Sequence, residues 1–127
     1  PCLWPLHPRT RKQLDGIVSK VHDRLFIIDP LGYLEFMGLQ RDAIAVITDS
    51  GGIQEESTFL GVPCLTVRDN TERPITIDQG TNRLVGTEYS NLPGAVREAI
   101  VEKIEPKVPK LWDGKSSQRI ASVLRIC

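Results

Sequence analysis

The sequence predicts an α/β domain of the doubly wound kind, a parallel sheet with helices on both faces. Two observations carry this expectation. Short apolar runs bounded by turn residues, "LFIIDP", "AIAVITD" and "VPCLTVRD", alternate along the chain with segments whose apolar residues recur at helical spacing. The runs are also continuous rather than alternating apolar with polar, as strands covered on both faces are, and right-handed helical crossovers between such strands build a parallel sheet.

Each element has its own justification. The opening "PCLWPLHP" reads as a strand. Leu14, Ile17, Val18 and Val21 fall at i, i+3, i+4 and i+7 and predict a helix within residues 9–22. "LFIIDP" is a short buried strand that ends at Pro30, and residues 32–40 form a short helix carrying Tyr33, Phe36 and Met37. After the apolar strand "AIAVITD" a helix begins at a pair of glycines. It stops at Gly61, because a Gly just past the last helical residue, with Pro63 two places on, is a common helix ending. "VPCLTVRD" is another buried strand, "TERPITIDQGTN" a loop with one helical turn, and "RLVG" a last short strand. Leu92, Val96, Ala99, Ile100 and Ile104 make a helical face in 92–104, and Ile120, Val123, Leu124 and Cys127 make another near the end. With no internal repeat, low-complexity segment or linker, residues 1–127 are expected to form one domain.

Composition narrows the function classes. Of the 127 residues, 40% are hydrophobic and 25% charged, which suits a folded soluble domain rather than a disordered segment. Sixteen basic and sixteen acidic residues cancel without a long basic run, so the electrostatic footprint of a nucleic-acid or membrane-surface protein is missing. No apolar stretch approaches the roughly 20 residues of a membrane helix. Cys2, Cys64 and Cys127 are odd in number, widely spaced and without CxxC, which points to reduced thiols and a cytoplasmic setting rather than a disulfide frame or a zinc site. The chain starts without Met on what reads as a strand entered partway through a domain, so a piece of something longer is expected.

"TDSGGIQEES", residues 48–57, carries the chemistry. Ligands of open α/β sheets bind beyond the carboxyl ends of the strands, where this stretch lies. Gly51 and Gly52 lack a Cβ and admit close approach to the backbone, and the following helix offers unpaired N–H groups and the positive end of its dipole to a phosphate. Ser50 adds a hydroxyl. Glu56, one turn after Gly52, leans back toward the ligand side at the edge of a face formed by Ile53, Ser57 and Leu60; Glu55 is turned about 100° away. A carboxylate so placed suits a ribose diol, from which it accepts two hydrogen bonds, better than proton transfer to a phosphate. The purely structural alternative makes Ser50 an N-cap and the two acids favourable partners of the helix dipole.

Together with "GVPCLTVRDNTERPITIDQGTNRLVG", the stretch closely resembles the C-terminal half of the non-hydrolysing UDP-N-acetylglucosamine 2-epimerases, and the similarity extends through "HPRTR", "IIDP", "YLEF" and "WDGKSSQRIASVL". The resemblance implies a Rossmann-like half of a GT-B-type fold, with the active site in the cleft against an N-terminal half. It implies that Ser50, Gly51 and Gly52 bind the diphosphate, Glu56 the ribose hydroxyls, the backbone at Phe36 the uracil, and Arg73 the diphosphate or sugar. His7 would lie near the activating UDP-N-acetylglucosamine site of some bacterial members. Leu31 departs from relatives that carry Gln after the Pro of "IDP". The implied reaction removes the proton at C2 and UDP from C1 to give 2-acetamidoglucal, then re-adds UDP to yield UDP-N-acetylmannosamine, with neither a nicotinamide nor a metal. The implied setting is cell-surface polysaccharide biosynthesis, in a homodimeric parent. The carboxylates and the further Arg of that chemistry belong to the N-terminal half, so no catalytic residue is expected in this chain, and these 127 residues alone are expected to be inactive.

Other readings stand beside this one. Glu56, Gly61 and Pro63 also fit the "ExxxxGxP" pattern of GT-B glycosyltransferase donor domains, and a non-catalytic UDP-binding module would keep the same grip. A dinucleotide-binding dehydrogenase fits less well, since no GxGxxG follows the first strand. Structural roles are open to His7, to His22 at a helix C-terminus, to Arg73 beside Glu72, and to Thr81, Asn82, Trp4 and Trp112. Asp49, Asp69 and Asp78 read as loop-ordering residues.

Overall fold

A computed structural model describes residues 1–14, 23–102 and 108–125. The elements in chain order are β1 (Cys2–Pro5), α1 (Pro8–Gln13), β2 (Leu25–Ile28), α2 (Tyr33–Arg41), β3 (Val46–Thr48), α3 (Gly51–Leu60), β4 (Cys64–Thr66), α4 (Pro74–Asp78), β5 (Asn82–Leu84), a 3-10 turn at Tyr89–Asn91, α5 (Leu92–Val101) and α6 (Ser116–Leu124). Strands and helices alternate as the sequence predicts, and every strand pair is parallel. The expected helix in 9–22 is described only as far as Leu14; Ile17, Val18, Val21 and His22 lie outside the described residues, as do Ile104 and Cys127. No helix among the described residues is long and apolar enough to cross a membrane.

The chain divides into two compact units, Pro1–Phe36 and Met37–Cys127. In the first, β1 pairs with β2 from Cys2 opposite Leu25 to Pro5 opposite Ile28, and Leu6 is buried. In the second, the ladder runs β3-β4-β5. The expected α/β class with parallel pairing holds, the described strands forming a two-stranded ladder in the first unit and a three-stranded one in the second. Val46 N–H donates to Pro63 O at 2.8 Å and Thr48 O accepts Val67 N–H at 2.9 Å, extending the β3–β4 pairing at both ends.

Helix ends follow local chemistry. α3 closes where Gly61 takes φ 72°, a left-handed conformation that costs glycine nothing, and the N–H of Val62 bonds back to Ser57 O at 2.9 Å. α5 opens on "LP", with Pro93 in its first turn, where its missing N–H costs no helical bond. The last turn of structure, around Leu111 (φ 73°) and Gly114 (φ 74°), is tied to α6 by Arg119, which donates to Asp113 and holds that carboxyl below its usual range.

The core of the second unit is largely polar. Val62, Cys64, Leu65 and Ala99 are buried, but so are Gln54, Ser57, Thr58, Thr66, Thr76, Thr81 and Asn82. The buried stripe of α3 runs through Gln54, Ser57 and Thr58, not through Ile53 and Leu60, which are half-buried. This corrects the face expected from apolar spacing. A hydroxyl or amide goes inside at low cost when it is bonded, as where Ser57 Oγ donates to Ile53 O at 2.5 Å and Thr81 Oγ1 to Val62 O at 2.6 Å, whereas Thr58 Oγ1 and Gln54 Nε2 are buried without a hydrogen-bond partner among the described residues.

Candidate functional site

β3 ends at Thr48, whose Oγ1 accepts the N–H of Ser50 at 3.0 Å and turns the chain toward α3. Ser50 stands at the N-cap in extended conformation (φ −85°, ψ 128°), yet its side chain makes no capping bond. The hydroxyl is therefore not spent on the helix. Gly51, Gly52 and Ile53 open the first turn, where backbone N–H groups have no intrahelical acceptor; the first to find one is Gln54, which donates to Ser50 O at 3.2 Å. The arrangement is an N-terminus with exposed donors, a positive dipole end and a free hydroxyl.

Arg73 joins this end of the helix. A Cβ on Gly51 would lie 3.9 Å from Arg73 Cγ and 4.0 Å from its Nε, so the Arg side chain runs directly past the glycine. Its Nε sits 3.0 Å from Glu55 Oε1, close enough for an ion pair but misaligned for a hydrogen bond. Its neighbour Glu72 contributes only a backbone oxygen, 3.4 Å from Nη1. The pairing suggested by sequence adjacency is replaced by one across space. Both partners are about two-fifths exposed, so the pair orients the guanidinium more than it stabilises the fold, as exposed pairs contribute about 0–1 kcal/mol.

A buried network fixes the Arg73 backbone. Thr71 Oγ1 accepts Arg73 N–H at 2.9 Å and donates to Gln54 Oε1 at 2.5 Å. Asn82 Nδ2 donates to Gln54 Oε1 at 3.2 Å and to Thr76 Oγ1 at 3.0 Å, Thr66 Oγ1 donates to Asn82 Oδ1 at 2.6 Å, and Thr76 Oγ1 donates to Arg73 O at 2.7 Å. One turn of α3, two strands and the "TERP" loop are thereby locked to each other. Asn82 and Thr81 are buried structural residues and not cleft-lining ones.

Glu55 and Glu56 diverge as helix geometry requires. Glu56, half-buried, accepts from Gln40 Nε2 through Oε2 at 2.7 Å; its Oε1 has no hydrogen-bond partner among the described residues. Gln40 is 2% exposed. Hydrophobic periodicity could not have singled it out, and Gln54 was equally hidden.

In the first unit, Phe36 is half-buried in the first turns of α2, and its N–H is given to Gly32 O at 2.9 Å. A backbone contact from this residue to a ligand therefore falls to its carbonyl, which keeps a second lone pair inside a helix. His7 is the N-cap of α1, its Nδ1 accepting Arg9 N–H at 3.3 Å. Asp69 orders a loop by accepting the Thr87 N–H at 3.1 Å. Trp4 is 38% exposed on β1 and Trp112 half-buried. No group of three or more His, Cys, Asp or Glu among the described residues could hold a metal ion.

Comparison with known proteins agrees over nearly the full chain. A family model described as UDP-N-acetylglucosamine 2-epimerase matches residues 1–125. Proteins named UDP-N-acetylglucosamine 2-epimerase from Methanocaldococcus jannaschii and Methanococcus maripaludis are 44% and 41% identical over 126 residues, covering 96% of this chain and 34% of theirs. The crystal structure of the M. jannaschii enzyme in complex with UDP-GlcNAc and UDP superposes with a TM-score of 0.84 at 43% identity, over 98% of this chain and 35% of that one. The chain thus spans about a third of the length of the curated relatives it matches.

Proposed function

From the premise that the chain belongs to the UDP-N-acetylglucosamine 2-epimerase family, we propose that it is the UDP-gripping, C-terminal part of an enzyme that interconverts UDP-N-acetylglucosamine and UDP-N-acetylmannosamine. One observation carries the reading: an uncapped helix N-terminus, a guanidinium and a half-free carboxylate meet within two turns of α3. A nucleoside diphosphate matches these groups in order. The N–H groups of Gly51 and Gly52 and the Ser50 hydroxyl take the diphosphate, and Arg73 adds charge on the same side. Glu56 accepts from the ribose diol.

The reaction itself then needs a base for the C2 proton while the C1–O bond to UDP breaks, and the reverse addition to the glucal. In this reading Glu55 is paired with Arg73 and the open oxygen of Glu56 is given to the ribose, so both acids of α3 serve recognition rather than proton transfer. The proton carriers accordingly belong to an N-terminal partner domain, and the intact enzyme works as a cytoplasmic homodimer in glycan-precursor synthesis. The free thiols of Cys2 and Cys64 suit that compartment. The second unit, with the strand and helix elements that precede it, would act as one nucleotide-sugar-binding domain.

Calorimetry with UDP tests the grip. A carboxylate hydrogen bond contributes about 1.5–3 kcal/mol, so Glu56→Ala is expected to weaken UDP tenfold or more, at about 1.4 kcal/mol per factor of ten. Ser50→Ala is expected to weaken it less. Affinity unchanged in both variants would defeat the assignment.

A further inference from the structure

We propose that Gln40 is a positioning residue for Glu56, and that the pair makes the site selective for ligands carrying an intact ribose diol. The inference rests on the nucleotide-binding reading above and extends it to a residue outside the "SGGIQEE" stretch.

The geometry begins with burial. Gln40 lies on the last turn of α2 at 2% exposure, facing α3, and its Nε2 is 2.7 Å from Glu56 Oε2. A carboxylate only accepts, so the amide must turn its NH2 toward Glu56 and its carbonyl away. Oε1 of Gln40 then lies buried without a hydrogen-bond partner among the described residues. An unpaired buried carbonyl costs stability. Leucine or methionine at this position would avoid that cost, so folding alone does not account for an amide here.

What the amide does is fix one carboxylate oxygen. A Glu side chain on a helix surface has three rotatable bonds and loses affinity by having to order them on binding. With Oε2 held by Gln40, the carboxylate plane is set before a ligand arrives, and Oε1 remains unbonded to accept from a hydroxyl. Adjacent hydroxyls on one ring can then bond both the free oxygen and the second lone pair of the held one. A ligand without the diol gains nothing from this preparation.

The test uses the 127-residue chain, unsubstituted and as Gln40→Met, Gln40→Leu and Glu56→Ala, titrated with UDP and with 2′,3′-dideoxy-UDP. The unsubstituted chain should prefer UDP. Gln40→Met and Gln40→Leu should lose about tenfold in UDP affinity, the equivalent of one good hydrogen bond, while dideoxy-UDP binding and the melting temperature hold or rise. If both nucleotides weaken together in the Gln40 variants, Gln40 is only a structural tie between helices and the proposal falls. It falls likewise if Glu56→Ala abolishes the preference for UDP and the Gln40 variants retain it, with the ribose role of Glu56 intact. An unsubstituted chain that binds both nucleotides equally, or neither, removes the ribose reading of Glu56 itself and the proposal with it.

Discussion

Gly80 has no room for a side chain. A Cβ there would stand 2.5 Å from Thr58 Cγ2 and overlap the Thr76 carbonyl, which belongs to backbone and cannot swing aside. Gly80→Ala is therefore expected to destabilise by about 1–3 kcal/mol, measured as a shift in urea midpoint with an unchanged slope. Cys64 offers a pH signature. Burial pushes its thiol up from 9.0, with weaker opposing bonds from Ser57 and Thr66. The folded state thus keeps a proton that the unfolded chain releases sooner, so the stability tied to that proton is complete below the unfolded value and is lost as pH rises toward the folded one. Stability should fall above about pH 9, where an ordinary exposed thiol ionises, and fall less steeply in Cys64→Ala. The exposed Cys2 should be alkylated under conditions that leave Cys64 intact. At this scale the sequence was informative where a residue type has one common use, as at Gly61, and silent where a polar side chain goes inside. Nothing in "GIQEES" marks Gln54 as the residue with no exposed surface.

Among elements, β4 and α3 decide the site. β4 is buried at all three positions, and Thr66 on it feeds the network through Asn82 that ends at the backbone of Arg73. Thr66→Val keeps the shape but leaves Asn82 Oδ1 buried without its donor, so a loss of about 1–3 kcal/mol is expected, with a smaller loss if Asn82 is replaced as well. Chemical denaturation of the single and double variants measures the coupling. The strands, α2, α3 and α5 were legible because their signals are local: apolar run length, helical spacing, Gly and Pro at the ends. Their lengths were not. "AIAVITD" spans seven residues and contributes three to the ladder, because pairing depends on the neighbouring strand. α6 shows the opposite limit: its spacing marked a helix correctly, but Ile120, Val123 and Leu124 are exposed at 59%, 62% and 68%.

For the whole molecule, the balance of sixteen acids and sixteen bases means that anion binding rests on local geometry and not on a long-range field. Binding should therefore depend on the α3 N-terminus far more than on ionic strength. The chain also spans about a third of its curated relatives, and in the proposed reading both acids of α3 serve recognition, Glu55 with Arg73 and Glu56 with the ribose. Incubated alone with UDP-N-acetylglucosamine, it is expected to bind the nucleotide and form no epimer; appearance of UDP-N-acetylmannosamine by NMR would show that the chain carries its own proton chemistry.

The sequence by itself determined the α/β class, the order of elements, the end of α3 at Gly61 and the separation of Glu55 from Glu56, because each follows from interactions within a few residues of chain. Tertiary structure decided the partners. That Glu55 meets Arg73 rather than solvent, that Gln40 reaches Glu56 from another helix, and that Gln54 ties Thr71 to Asn82 are consequences of packing across 16 to 28 residues of sequence. A polar side chain carries no periodic signal of its own burial; Thr66 and Asn82 are held inside by partners that the fold brings to them, and those partners are set by the whole chain.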